Sequence, residues 1–239
     1  MTRLARFVVP GAPHHVIQRG VHDEVLFASE EDYKHYGGLL AEGCRRCGVV
    51  VWAYCLMPTY IQLLLQPLRA EALARALGET HRRYAAHVNA RKGNKGHLFH
   101  GRFTSVPVDA EYALAAARQL SLAPVEAGLA GRPEDWFWSS SYALLRGDDD
   151  GLVTVQPLLD RVGDFETFLA QGPDPRLLAA IAAAETIGRP LGSPAFRADV
   201  ARLLNRQVEP RKRGRKPSRG MTPPLSVAAG AGDSAPPSP

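Results

Sequence analysis

The chain has 239 residues, 45% of them hydrophobic and 22% charged, with a formal charge of +5 and three cysteines. That is chain enough for one domain with an appendage, or two small ones, and too few cysteines for a disulfide framework, so nothing favours an oxidising compartment. No stretch approaches the ~18 apolar residues of a membrane span and the start lacks a signal-peptide core, which predicts a soluble, cytoplasmic protein with no membrane partner.

His15, Ile17 and Arg19 alternate with Val16 and Gln18, the period of a strand, and Gly20–Asp23 reads as a turn. Ser29 before Glu30, Glu31 and Asp32 starts a helix that Gly48 ends after Cys47. Val49–Leu56 and Tyr60–Gln66, separated by Met57-Pro58, predict an antiparallel pair of strands. Residues 70–92 form a long helix with Leu73, Leu77, Tyr84 and Val88 inward and Arg75, Arg82, Arg83 and Lys92 in water. After a Gly-Asn loop, Leu98–Val108 reads as extended. Asp109 then caps a helix over 111–122, which Ala123-Pro124 is expected to end.

The order β-α-β-β-α-β followed by a helix predicts an α+β, ferredoxin-like antiparallel sheet with helices on one face. Short helical pieces around Trp136 and Trp138 follow, then a linker at Asp148–Asp150. The organisation expected is a body over 1–146, a helical extension over 147–205 and a basic, Pro/Gly-rich tail over 206–239, expected to be disordered.

Charge is concentrated. Residues 211–219 hold six Lys or Arg and no acid, so the rest of the chain sums to −1. Residues 80–108 also lack acids but carry Arg82, Arg83, Arg91, Lys92, Lys95 and Arg102. Two basic stretches on an otherwise acidic protein point to a polyanion, nucleic acid first. Together with Arg19, the second set would line a channel beside the sheet, with Phe99 or Phe103 available for base stacking. In the tail, Arg211, Lys212, Arg213, Arg215 and Lys216 surround an Arg-Gly-Arg that would suit the narrow minor groove of A·T-rich DNA, or serve as a general electrostatic tail.

Five strings in order complete the reading: 13–20 (PHHVIQRG), 52–58 (WAYCLMP), 97–103 (HLFHGRF), 124–129 (PVEAGL) and 136–140 (WFWSS). Over about residues 3–145 the chain resembles the REP-associated tyrosine transposases, of the insertion-sequence-200-like single-tyrosine family. The resemblance implies strand cleavage and rejoining through phosphotyrosine in DNA transposition. It also implies a Mg or Mn ion held by two histidines of one strand and a polar ligand one helical turn after the tyrosine, single-stranded or hairpin DNA as substrate, and a homodimer in some branches.

At those positions stand other residues. The two histidine places hold Tyr60 and Gln62, the tyrosine place Gln119 and the last ligand place Ala123. An amide is no nucleophile at phosphorus, and Tyr112, two turns earlier on the same helix face, lies ~10 Å away along the axis. The expectation is a DNA-binding protein on a transposase scaffold, without cleavage and without a cofactor. Two other readings stay open: a metal-dependent transposase or nuclease using non-standard residues such as His97 or His100, and an RNA-binding or protein-interaction module. Cys44 and Cys47 are expected to be buried residues of one helix face rather than zinc ligands.

Overall fold

Val49, Val51, Ile61, Leu63, Leu65 and Val16 belong to one buried cluster, while Ala53, Cys55, Leu64 and Val106 belong to another. Alternate residues of the same strands therefore feed two cores, one on each side of a sheet. The protein is seen here as a computed structural model, which describes residues 6–93 and 95–209; these lie within one compact unit, Met1–Glu209. Strands β1 (His14–Arg19), β2 (Val49–Leu56), β3 (Tyr60–Pro67) and β4 (Thr104–Pro107) pair in the order β2-β3-β1-β4, every neighbour antiparallel. This is the ferredoxin-like arrangement expected from the element order.

Helices α1 (Glu30–Cys47) and α2 (Ala72–Lys92) cover one face together. They come close at Gly43, where a Cβ would lie 2.9 Å from Thr80 Oγ1 and 3.1 Å from the Ala76 carbonyl, so only hydrogen fits without displacement. Leu73, Leu77, Tyr84 and Val88 are all fully buried, as their spacing predicted. Ser29 occupies the N-cap of α1 but makes no capping side-chain bond; Asp32 reaches back instead and accepts from the Ala28 N–H at 2.8 Å. The same carboxylate takes both Nη groups of Arg91 from α2, at 2.5 and 2.8 Å, tying the two helices together.

Helix α3 (Ala110–Glu126) lies across the other face, so the central strands are covered on both sides and read as nearly continuous apolar runs. Asp109 caps it, accepting from the Tyr112 N–H. The expected stop at Ala123-Pro124 is corrected: the helix runs through Pro124 to Glu126. Proline here removes one donor in the last turn only, and the carbonyls of Ala123, Pro124 and Val125 are all taken by N–H groups of 127–129.

Two further expectations change. Only Thr104–Pro107 of the segment 98–108 is a strand; residues 98–103 form a hook over the end of β1, joined to it by the Gly20–Phe99 bridge. The apolar residues that suggested a strand are buried in that hook. Residues 148–150 are not a free linker. Asp150 accepts from the Tyr54 hydroxyl and from the N–H groups of Leu152 and Val153, and Asp149 accepts from the Val155 N–H. The helices that follow, α4 (Ser141–Arg146), α5 (Gln156–Val162), α6 (Phe165–Ala170) and α7 (Pro175–Ile187), pack on the α3 side of the sheet, and α8 (Pro194–Leu203) packs against Phe7 and Val9.

Candidate nucleic-acid interface

Tyr60 and Gln62 are two residues apart on β3 and sit opposite Arg19 and Ile17 of β1. Directly opposed residues share a face, and the Cys55 that also pairs with Gln62 belongs to the core under α3. Tyr60, Gln62, Ile17, Arg19 and His15 therefore all point toward the α3 side. On α3, Tyr112, Gln119, Ala123 and Glu126 recur at helical spacing and form one stripe. Glu126 lies close enough to act electrostatically on Tyr60, which brings the end of that stripe over the start of β3.

The four positions themselves, Tyr60, Gln62, Gln119 and Ala123, carry neutral side chains. Burial, above all, pushes the Tyr60 phenol up; Cys55, Glu126 and Glu185 reinforce the shift and Arg19 opposes it. Gln62 is 5% exposed, and its side-chain carbonyl and that of Gln119 are buried with no hydrogen-bond partner among the described residues. Ala123 contributes a buried methyl group. A Mg or Mn ion needs several oxygen ligands, carboxylates among them. A protonated phenol, an amide and a methyl group do not fit that demand, and among the described residues no three His, Cys, Asp or Glu side chains are grouped as ligands. Tyr112 is half-buried against the same core, two helical turns before Gln119.

Beside this buried centre an open cleft of about 310 Å³ runs along the seam between β1 and the hook, lined by Arg19, His100, Arg102, Thr104, Glu185 and Thr186. The hook is held in place by backbone bonds from the His100 N–H to the Arg19 carbonyl and from the Val21 N–H to the Leu98 carbonyl. Gly20 makes the turn possible, since a Cβ there would stand 2.4 Å from the Glu24 carbonyl. The Arg19 guanidinium lies 5.4 Å from the centre of the Tyr60 ring. Glu185 faces Arg19 at 4.0 Å and His15 Nδ1 at 3.6 Å. Burial lowers the His15 pKa to about 4, so near neutral pH the imidazole is uncharged and only the Arg19 contact is ionic. Two guanidiniums, an exposed imidazole, two hydroxyls and one carboxylate make a cleft suited to a phosphate with its sugar or base.

The basic residues singled out in the sequence are not brought together. Arg19 and Arg102 share the cleft, and His100 joins them. Arg82, Arg83 and Arg91 lie on α2, across the sheet, and are paired with Glu79, Glu42 and Asp32. Lys92 ends α2 and Lys95 lies in the loop beyond it, both exposed. Phe99 and Phe103 are not available for stacking on bases. They are 9% and 6% exposed, Phe99 against His81 and Tyr84, Phe103 beneath the Arg6 guanidinium. His97 is exposed and does not line the cleft. Cys44 and Cys47 are buried and free, and burial pushes the Cys44 thiol up to about 12. The positions 211, 212, 213, 215 and 216 lie outside the described residues. Sequence reasoning missed Glu185 and Thr186, which reach the cleft from an alanine-rich helix with no local mark of a site.

No helix among the described residues is long and apolar enough to cross a membrane. Neither a protein-family model nor a curated protein matches the chain. Among solved structures, a crystal structure described as that of a transposase, from Deinococcus radiodurans R1, is similar at 18% identity with a TM-score of 0.35, covering 54% of this chain and 98% of that one. The structure of a REP-associated tyrosine transposase bound to a REP hairpin matches 65% of this chain and 90% of its own, at 14% identity and a TM-score of 0.51. With its strand order, two-faced helical cover and third helix over the sheet, the chain has the fold of a REP-associated tyrosine transposase.

Proposed function

We propose that the chain binds single-stranded or hairpin DNA at the β1–hook cleft and does not cut it. The observation that carries this reading is the pairing of an open cationic cleft, Arg19, His100 and Arg102, with a neutral centre immediately beside it at Tyr60 and Gln62. Phosphate binding needs only the former. Phosphotyrosine chemistry needs a phenol placed for in-line attack and a charge to stabilise the leaving oxygen. Gln119 supplies an amide where the resemblance puts that phenol, Tyr112 is ~10 Å off along the helix, and burial keeps Tyr60 protonated. Hairpin DNA is the substrate class favoured because the REP transposase that shares this fold is bound to one.

The test is a titration of the full chain with a fluorescent DNA hairpin at several salt concentrations, alongside a suicide hairpin substrate with Mn²⁺. Affinity falls steeply with salt, Arg19→Gln with Arg102→Gln weakens it more than tenfold, and no covalent protein–DNA adduct forms. Salt-independent binding, or an adduct abolished by Tyr112→Phe or Tyr60→Phe, overturns the reading.

A further inference from the structure

At the far end of β3 from Tyr60, the last turn of α1 and the first turns of α2 enclose a second open cleft, of about 500 Å³, in which Arg46, Arg69 and Arg75 converge with Glu71 and Glu79. We propose that this cleft is a second polyanion-binding surface that takes the phosphodiester backbone of duplex nucleic acid, independently of the Arg19 cleft.

The acids present do not neutralise it. Glu79 is engaged by the Arg82 fork at 2.7 and 2.9 Å. Glu42 is hydrogen-bonded to Arg83 at 2.8 Å and reaches Arg46 only at 3.7 Å. Glu71 stands 4.0 Å from Arg69. Among the described residues Arg75 has no ion pair or side-chain hydrogen bond.

Ordinary structural roles explain two of the three arginines. Arg46 complements the C-terminal dipole of α1, and Arg69 donates to the Cys47 carbonyl at 3.3 Å. Arg75 has no such role. It lies one turn into α2, between Glu71 at the N-cap and Glu79 one turn on, and its guanidinium is bonded to neither. Its five donors are therefore open to an arriving anion. Planar forks match phosphate oxygens in pairs, which a lysine cluster would not do. The seven steps from Tyr60 to Pro67 along β3 span about 23 Å at ~3.3 Å each, so one nucleotide cannot fill both.

The experiment measures the full chain against a 20-base-pair duplex without a loop, across a salt series. Replacing Arg46, Arg69 and Arg75 together by Gln lowers the slope of log affinity against log salt by about 2 to 3, at ~0.9 per lost phosphate contact. It also weakens duplex binding more than tenfold, whereas Arg19→Gln with Arg102→Gln leaves duplex binding unchanged. Because Arg69 also holds a backbone carbonyl, Arg46→Gln with Arg75→Gln is the second variant and decides if the triple one melts early; its expected slope loss is about 2. An unchanged slope in both variants overturns the proposal, and so does binding of a polyglutamate peptide as tight as that of duplex. Hairpin affinity that falls to the level of the loop-free duplex in the Arg19 and Arg102 variant, with duplex binding intact, supports both readings. Failure at the first cleft alone leaves the second standing, and the reverse holds equally.

Discussion

The Glu185 carboxylate stands 4.0 Å from the Arg19 guanidinium, inside the cleft that would receive a phosphate. Any nucleic acid seated there competes with that carboxylate for the same cation. Glu185→Gln keeps the shape and removes the charge, so hairpin affinity rises about 3- to 10-fold at low salt, the scale of one partly exposed ion pair at about 1 kcal/mol. The gain fades as salt rises. Fluorescence anisotropy at 50 and 300 mM salt measures both effects, and an affinity that falls in the variant contradicts this role for Arg19.

Three buried imidazoles set the acid side of the stability curve. Burial lowers the His14 and His15 pKa values to about 4, with an Ala12 carbonyl partly opposing this at His14, and lowers His81 to about 3. In the unfolded chain each titrates at ~6.5. Above that pH their contribution is fully present. Below it the unfolded state binds protons that the folded state refuses, so stability is lost from pH 6.5 down to about 4, at up to ~1.4 kcal/mol per pH unit for each group. Glu185, which burial pushes up, binds its proton earlier in the folded state and so offsets part of that loss just above the usual glutamate range. Urea unfolding at half-unit pH steps therefore shows a steep decline in this window. His15→Leu flattens the slope by about a third without loss at pH 7, because both His15 nitrogens lack a hydrogen bond while its cross-strand neighbours are Leu64 and Val106.

Asp32 adds a second, lower window. Chiefly the Arg91 hydrogen bonds, with the Ala28 N–H contributing, hold its carboxyl below the usual aspartate range, so this stabilisation is present above pH ~4 and disappears as pH falls through the lowered value. Asp32 is fully buried and Arg91 partly exposed. Removing only Arg91 strands a buried charge, so Arg91→Gln costs more than the double variant Arg91→Gln/Asp32→Asn. A double-mutant cycle at pH 7 gives a coupling of about 1 to 3 kcal/mol. The same cycle repeated at lower pH gives a coupling that shrinks as the acid range is entered; a coupling unchanged by pH contradicts the assignment.

The elements were legible because local signals agreed with tertiary demand. Cys47 before Gly48, Asp109 before α3, and the spacing of Leu73, Leu77, Tyr84 and Val88 each had one reading. The hook at 98–103 was misread because Leu98, Phe99 and Phe103 are as apolar as strand residues, yet they are buried by folding over Gly20 rather than by pairing. The basic stretch from Thr80 to Val108 looked like one surface because it contains no acid. Its partners come from outside the stretch, Asp32 and Glu42 from α1 and Glu79 from just before it. Glu185 was invisible for the same reason: its meaning depends on Arg19, far away in the chain.

The register at the centre yields the strongest test of the proposed loss of cleavage. Tyr60 and Gln62 share the α3-covered face of β3, the relation two metal-holding histidines of one strand require, and Gln119 and Ala123 follow one another on a single stripe of α3. Tyr60→His, Gln62→His, Gln119→Tyr and Ala123→Asn together place imidazoles, a phenol and an amide ligand in those positions. Asn in the pocket of Ala123, which is 7% exposed, crowds the core and costs about 1 to 3 kcal/mol, so the variant melts earlier but remains folded. With Mn²⁺ it cuts hairpin DNA and leaves a covalent adduct, whereas the unaltered chain does neither. The adduct is absent when Gln119→Phe takes the place of Gln119→Tyr in the same combination, since that ring lacks the hydroxyl. A folded quadruple variant that binds Mn²⁺ without cutting would show that more than these four side chains separates the chain from a working transposase.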